Sequence, residues 1–381
     1  METQEKQGGN VIAIATMFAL FFMIAFVTNF ASPMGVIAKN QFNASNALSQ
    51  LGNAANFIAY LFMGIPGGLI LKRKGYKFTS LTAVAVGFAG VGIQLLSGYI
   101  GSFAVYVTGA FVAGFSMCML NLVTNPLLNT LGGGGNKGNQ LVQFGCSLNS
   151  VGATLSPMVL GWLIGEITKD TAFSDAAPAL MIAMGIFAFA FFVVLFSRIP
   201  EPHMETAEEK SARLSSNASV FADIVSTLKF PHFTLGALAI FFYIVIEVGI
   251  PSMAYLYMTE QVKDASGAVA NGPGYVGGAV AGAVVAAYWF CMMIGRLIGG
   301  AVGAKVSSRS MILGCSLVGI CLMLVTIFAP VQMVTVFGKS FPLSMCFMVG
   351  CGLCTSVMWG GIFNMAAEGL GKYVPMGSGI F

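Results

Sequence analysis

Charge is what this sequence has least of. Asp, Glu, Lys and Arg make up 8% of its 381 residues, where soluble domains average about 25%. A soluble chain of this length would need that charge on its surface, yet 57% of the residues are hydrophobic and the mean hydropathy is +0.84. The composition excludes a soluble globular fold and implies an integral, all-α membrane protein with the lipid bilayer as its surroundings. Histidine is nearly missing: His203 and His232 are the two. Neither is spaced with cysteine as metal ligands are, so no metal is expected. All eight cysteines fall in apolar segments and read as small packing residues. There is no Ser/His/Asp set and no nucleotide loop. The Gly run at 132–135 lacks the Lys-Ser context of a phosphate loop and reads as a flexible turn. No enzymatic activity, cofactor or ATP drive is therefore expected. The net charge of +4 is spread over short loops without a dense patch, which excludes nucleic acid as a partner. The N-terminus is polar and the apolar stretch after it is too long for a cleaved leader, so none is expected.

Apolar stretches, in contrast, are abundant. A spanning helix needs about 20 predominantly apolar residues, and ten such stretches can be read, at 11–38, 47–71, 77–100, 103–130, 139–165, 177–199, 231–259, 275–303, 310–330 and 340–367. The 48 glycines lie mostly within them, as suits close helix packing in lipid. Basic residues concentrate in alternate loops: Lys72, Arg73, Lys74 and Lys77; Lys137; Arg198, Lys210, Arg213 and Lys229; Lys305 and Arg309; Lys372. The opposite loops carry Lys39, Lys169, Lys263 and Lys339 singly. This asymmetry places the first set, and the N-terminus, in the cytoplasm. The one long polar segment, 200–230, reads as a cytoplasmic linker with a short amphipathic helix near 219–228.

A faint parallel repeat runs through the chain. GGLILKRKGYK (67–77) answers to GRLIGGAVGAKVSSR (295–309), and NPLLNTLG (125–132) to GIFNMAAEGLG (361–371). Two halves in the same order and orientation imply two six-helix bundles: residues 1–199, the linker 200–230, and a second bundle from 231 to 381. By that repeat the chain stops at the start of an eleventh span, and the last two helices are expected to be missing from it.

One of the 14 acidic residues sits near a bilayer midplane. Glu247 lies within FFYIVIEVGI (241–250). A charged group at a helix centre costs roughly 2.5–3.5 kcal/mol to insert. A carboxylate out of water loses its hydration and can take or give a proton as water access changes. Glu247 is the candidate proton-coupling residue. Packing and direct hydrogen bonding to substrate are the other readings. Arg296, the basic residue within a span, is either an interfacial anchor or part of a gate. Uncharged polar side chains cluster in the first, second, fourth, fifth, seventh, eighth and tenth spans, and spans three, six and nine read as lipid-facing. Asn29, Asn121, Asn125, Gln143, Asn149 and Asn364 are the candidate substrate ligands. Trp289 and Trp359 are candidate stacking rings. Amides without charge suit a neutral polyol, because buried amides need partners.

The repeat and the basic Gly-rich second loop resemble the major facilitator superfamily, whose loop has the form G-x-L-x-D-R-x-G-R-K. Gly68, Leu69, Gly75 and Lys77 fit, while Lys72 or Arg73 stands where aspartate is usual. TNPLLNTLG (124–132), SLNSVGATLSP (147–157), FYIVIEVGI (242–250) and MMIGRLIGG (292–300) resemble the fucose/glucose–galactose permease branch. That resemblance implies the major facilitator fold and proton-coupled uptake of a hexose or deoxyhexose in a bacterial inner membrane, by a monomer. It also implies gating at Gly68, Gly75, Lys77 and Arg296. The acids that fucose members of the branch carry in helices one and four fall here on approximately Ser32 and Asn121. Sodium coupling, uncoupled sugar passage and a transport-inactive sensor or assembly protein are the alternatives.

Overall fold

The computed structural model describes residues 2–29, 51–164, 173–215, 220–259, 261–263, 269–276 and 278–381, with 34, 37–38, 41–42 and 48 between the first two segments. Ser32, Lys39 and Lys169 lie outside the described residues. The chain divides into two compact units. Unit 1 is Met1–Gly133, Leu148–Phe233 and Ala367–Phe381; unit 2 is Gly134–Ser147 and Thr234–Ala366.

Unit 1 is built from α1 (Glu2–Thr28), α2 (Leu51–Ile100), α3 (Phe103–Leu131), the latter part of α4 (Gly135–Ile164) and α5 (Phe173–Phe196). The second and third expected spans are joined as α2 and part at Gly75, whose φ of 85° and ψ of 177° break the helix. Only a residue without Cβ takes that conformation at no steric cost. The second half of α2 lies on α3 through glycines. A Cβ on Gly109 would meet the Gln94 backbone N at 2.7 Å, and one on Gly90 the Ala113 N at 2.5 Å. Contacts this short let backbones approach where no hydrophobic effect drives helices together. The linker holds α6 (Ala207–Ser215) and α7 (Val220–Leu228), the second where the short amphipathic helix is expected. The end of the chain, with α13 (Val374–Ile380), also belongs to unit 1. It lies against the first half of α2, where Gly68 faces the Pro375 carbonyl and Gly64 faces that of Gly379.

Unit 2 holds the start of α4 and nearly all of α8 (Pro231–Thr259). It continues through α9 (Gly278–Val302), α10 (Ser308–Phe328), α11 (Ser344–Ser356) and α12 (Met358–Ala367). The tenth expected span is thus two helices that meet at Val357. Two short hairpins, β1 (Gln261–Lys263) with β2 (Val269–Asn271) and β3 (Met333–Val336) with β4 (Lys339–Pro342), are antiparallel. The apolar stretch of α10 has none of its residues buried, as a lipid-facing helix should. Eight helical stretches among the described residues are long and apolar enough to cross a membrane, one of them the joined pair in α2 and another α11 together with α12. The helix α4 is not among the eight; its amide- and hydroxyl-rich sequence lowers its hydropathy.

Candidate transport site

Glu247 is not alone. Arg296 on α9 reaches it, with Nη2 donating to Oε1 at 3.1 Å, and the two side chains are only 12% and 11% exposed. The Arg296 Nη1 also donates to the Cys146 carbonyl at 3.4 Å. A buried pair of this kind gains Coulomb energy but has lost the hydration of both ions, so its net contribution is small. Removing one partner, by contrast, costs about 3–5 kcal/mol. Four tyrosine and tryptophan rings lie near the pair or against one another. The Tyr288 hydroxyl donates to the Glu247 carbonyl at 3.2 Å and shares a hydrogen bond with Thr355 Oγ1 at 3.1 Å. Tyr243, one turn before Glu247 on α8, is buried, and its ring lies 6.5 Å from that of Trp359. Trp289 stands 41% exposed with its edge against Tyr288 at 5.4 Å.

Gln143 and Asn364 also belong to unit 2. Gln143 is fully buried and donates to the Val357 carbonyl at 2.8 Å, at the break between α11 and α12. Its Oε1 has no hydrogen-bond partner among the described residues. Asn364 donates to Ser308 Oγ at 2.9 Å and ties α12 to the first turn of α10.

The other candidates lie in unit 1. Asn121 donates to the Tyr60 hydroxyl at 3.0 Å and to the Met117 carbonyl at 3.1 Å. Asn125 donates to the Asn121 carbonyl, and its buried Oδ1 has no partner among the described residues. Asn149 reaches across to the Phe21 carbonyl of α1 at 3.1 Å. Asn29 is exposed and folds back on the Ala25 carbonyl. Within this bundle a cavity of about 20 Å³ is lined by Thr28, Asn56, Gln94 and apolar side chains. That is room for about one water molecule.

The 67–77 loop takes a form the sequence does not announce. Lys72 pairs with Asp223 of α7 at 2.7 Å. Glu201, at the start of the linker, turns its carboxylate onto the backbone N–H groups of Tyr76 and Lys77, the latter at 2.9 Å. Lys77 Nζ donates to the Ser197 carbonyl at 3.1 Å, and the Tyr76 hydroxyl is hydrogen-bonded to His203 Nδ1 at 2.6 Å. The loop lacks an acid of its own, and Glu201 caps the helix that restarts after Gly75. Burial pushes the Glu201 carboxyl above its usual pKa although these N–H donors and Lys77 pull the other way. Burial likewise lowers the pKa of His203. Sequence reasoning placed Glu201 and His203 in a solvated linker. It also read Glu247 and Arg296 separately, although two opposite charges within spans are each other's natural partners.

The helices and the buried ion pair define a multi-span membrane protein. The Major Facilitator Superfamily sequence profile matches residues 15–381, and the chain belongs to that superfamily. It is 25% identical over 372 residues to a glucose/galactose transporter of Brucella abortus, covering 97% of this chain and 83% of that protein. A putative glucose/galactose transporter of Helicobacter pylori is 25% identical over 386 residues, covering 98% and 86%. The crystal structure of the Escherichia coli fucose:proton symporter superposes with a TM-score of 0.79 at 17% identity, covering 98% of this chain and 88% of that one. These relatives are transporters, and the likeness of fold is to a symporter.

Proposed function

We propose that the protein carries a neutral hexose or deoxyhexose into the cell together with a proton, by alternating access of two helical bundles joined through the 200–230 linker. The observation that carries the reading is the buried Glu247–Arg296 pair. It is an acid held out of water at the middle of an apolar helix, where a proton can be taken up or released as water reaches it. The names of the relatives support a sugar as substrate, and within unit 2 the buried oxygen of Gln143, unmatched among the described residues, gives a sugar hydroxyl something to bind. The carrier is proposed to work as a monomer in a bacterial inner membrane, with Lys72, Arg73 and Lys74 on the cytoplasmic side.

Two assays on one variant test this. Sugar-driven alkalinisation of a lightly buffered suspension is expected for the wild type with at least one hexose. Glu247→Gln is expected to abolish it while sugar counterflow at equal concentrations continues. Proton movement that persists in Glu247→Gln would move the coupling elsewhere. A wild type that moves no sugar would remove the sugar reading itself.

A further inference from the structure

The short helix α7 turns an apolar stripe away from the packed interior. Phe221, Val225 and Leu228 recur at intervals of four and three, which puts them on one helical face. Phe221 is 71% and Leu228 42% exposed, and Val225 is partly buried. Another face of the same helix is fixed within unit 1. Asp223 pairs with Lys72 at the bend of α2. Thr227 is fully buried, and a Cβ on Gly377 of α13 would meet its methyl at 3.6 Å. The helix cannot roll to hide its stripe without breaking these two contacts. Single apolar side chains on a surface are ordinary, but a periodic stripe on a helix held at a set angle is a surface for an apolar partner.

The position of α7 in the chain says which partner. Two residues, Lys229 and Phe230, separate it from Pro231, the first residue of α8. The turn is tight, with the Lys229 N–H donating to the Val225 carbonyl and the Phe233 N–H to the Phe230 carbonyl, each at 3.1 Å. From Leu228 to Pro231 the chain reaches about 10 Å at most. With 29 residues, α8 is about 43 Å long against a hydrocarbon core of about 30 Å, so its first turn stands in the headgroup layer. Leu228 is thereby tethered at headgroup depth. It adjoins a span whose own side chains, Leu235 at 65% and Leu238 at 53% exposed, face lipid. We propose that α7 lies along the headgroup layer of the leaflet on the linker's side of the membrane, with Phe221 and Leu228 inserted at the acyl boundary. An amphipathic helix buries its apolar face in that zone. Lys229, exposed directly after the stripe, meets the lipid phosphates. The companion helix α6 opens with Glu208 and Glu209 and belongs in water. Because Asp223 holds Lys72, a leaflet that holds Phe221 also bears on the bend of α2.

Nitroxide labels on the full chain test this. Phe221→Cys, Leu228→Cys and, on α6, Glu208→Cys are each placed in a cysteine-free background and reconstituted in phosphatidylethanolamine–phosphatidylglycerol vesicles. Collisions with oxygen, which concentrates among acyl chains, are compared with collisions with a water-soluble nickel chelate. The oxygen-to-nickel ratio is expected to be several-fold higher at 221 and 228 than at 208. Equal ratios at all three would put the stripe in water and overturn the proposal. A high ratio at 228 alone would mean that α7 rises out of the membrane, and would overturn it too. Protection of 221 from both reagents would mean that protein covers the stripe. Spin–spin broadening lost on dilution with unlabelled protein would identify that cover as a second copy, and in either case the lipid assignment falls. A nitroxide is itself apolar, so Phe221→Trp repeats the test with a natural ring. Its fluorescence, measured above that of the three native tryptophans, should be quenched by lipids brominated near the headgroup end of their chains. Fluorescence that these lipids leave unchanged would refute the insertion whatever the labels report.

Discussion

A single glutamate among apolar neighbours is easy to find, and the residue that makes it tolerable is not. Glu247 stands out because the surrounding residues of α8 carry no other charge. Its partner did not stand out. In lipid both faces of a helix are apolar, so the amphipathic signal that tells which faces meet in a soluble protein is lost. The pairing has a measurable consequence. Arg296→Met leaves a carboxylate at a site with 12% exposure, and thermal unfolding in detergent at neutral pH should show a loss of about 3–5 kcal/mol. Adding Glu247→Gln to that variant should return most of it, because no unpaired charge then remains. A double variant as unstable as the single one would mean that Arg296 acts chiefly through its packing and its bond to Cys146. The polar candidates split differently. Asn364 and Asn149 spend their amides on Ser308 and the Phe21 carbonyl, so they hold helices together. Gln143 and Asn125 keep a buried oxygen unmatched among the described residues, and such oxygens are where a polyol or water has something to bind.

At the scale of elements, the spans were legible from length and hydropathy, because a bilayer fixes both. The breaks inside them were less so. Gly75 was recognisable within a family-like loop, but its acid comes from Glu201, more than a hundred residues further on, and no local pattern reports a distant cap. Glu201→Ala removes acceptors from two helix-opening N–H groups and should cost about 1–2 kcal/mol, the range for losing a side-chain cap. The pH dependence has a defined sign. Because burial raises the Glu201 pKa, the folded protein binds this proton more readily than the unfolded chain does. Relative to Glu201→Gln, the wild type should therefore gain stability as pH falls through the raised pKa towards 4.5, and lose it as pH rises. His203, whose pKa is lowered by burial, works in the opposite direction: relative to His203→Gln, stability should be lost as pH falls below about 6.5. Stability curves of the two variants that slope the same way against pH would contradict this account. The contact of α2 with α13 depends on bare backbone. A Cβ at Gly68 would stand 2.6 Å from the Pro375 carbonyl, so Gly68→Leu should push α13 away. In a cysteine-free background carrying Ser378→Cys, thiol labelling should then become faster. Unchanged labelling would show that the segment adjusts without parting from α2.

At the scale of the whole molecule, loop charge is the guide to the proposed orientation. The repeat of the sequence divides the chain at the linker. The structure's compact units divide it otherwise, giving the start of α4 to unit 2 and Ala367–Phe381 to unit 1. Sequence repeats record which helices were copied together, and compactness records which residues touch, so the two divisions need not coincide. Loop charge is independent of either. Lys72, Arg73 and Lys74 sit at the bend of α2, while Lys339 opens β4. If the basic set is retained on the cytoplasmic side, these two places lie on opposite sides of one membrane. Lys74→Cys and Lys339→Cys, each placed alone in a cysteine-free background, test that in intact cells with a thiol reagent that does not cross the membrane. Lys74 and Lys339 are both exposed, so burial within the protein does not limit the reaction. Position 339 should label in intact cells, and position 74 only after the membrane is opened. Labelling of both from outside, or of 74 alone, would invert or break the proposed topology and, with it, the direction assigned to proton and sugar.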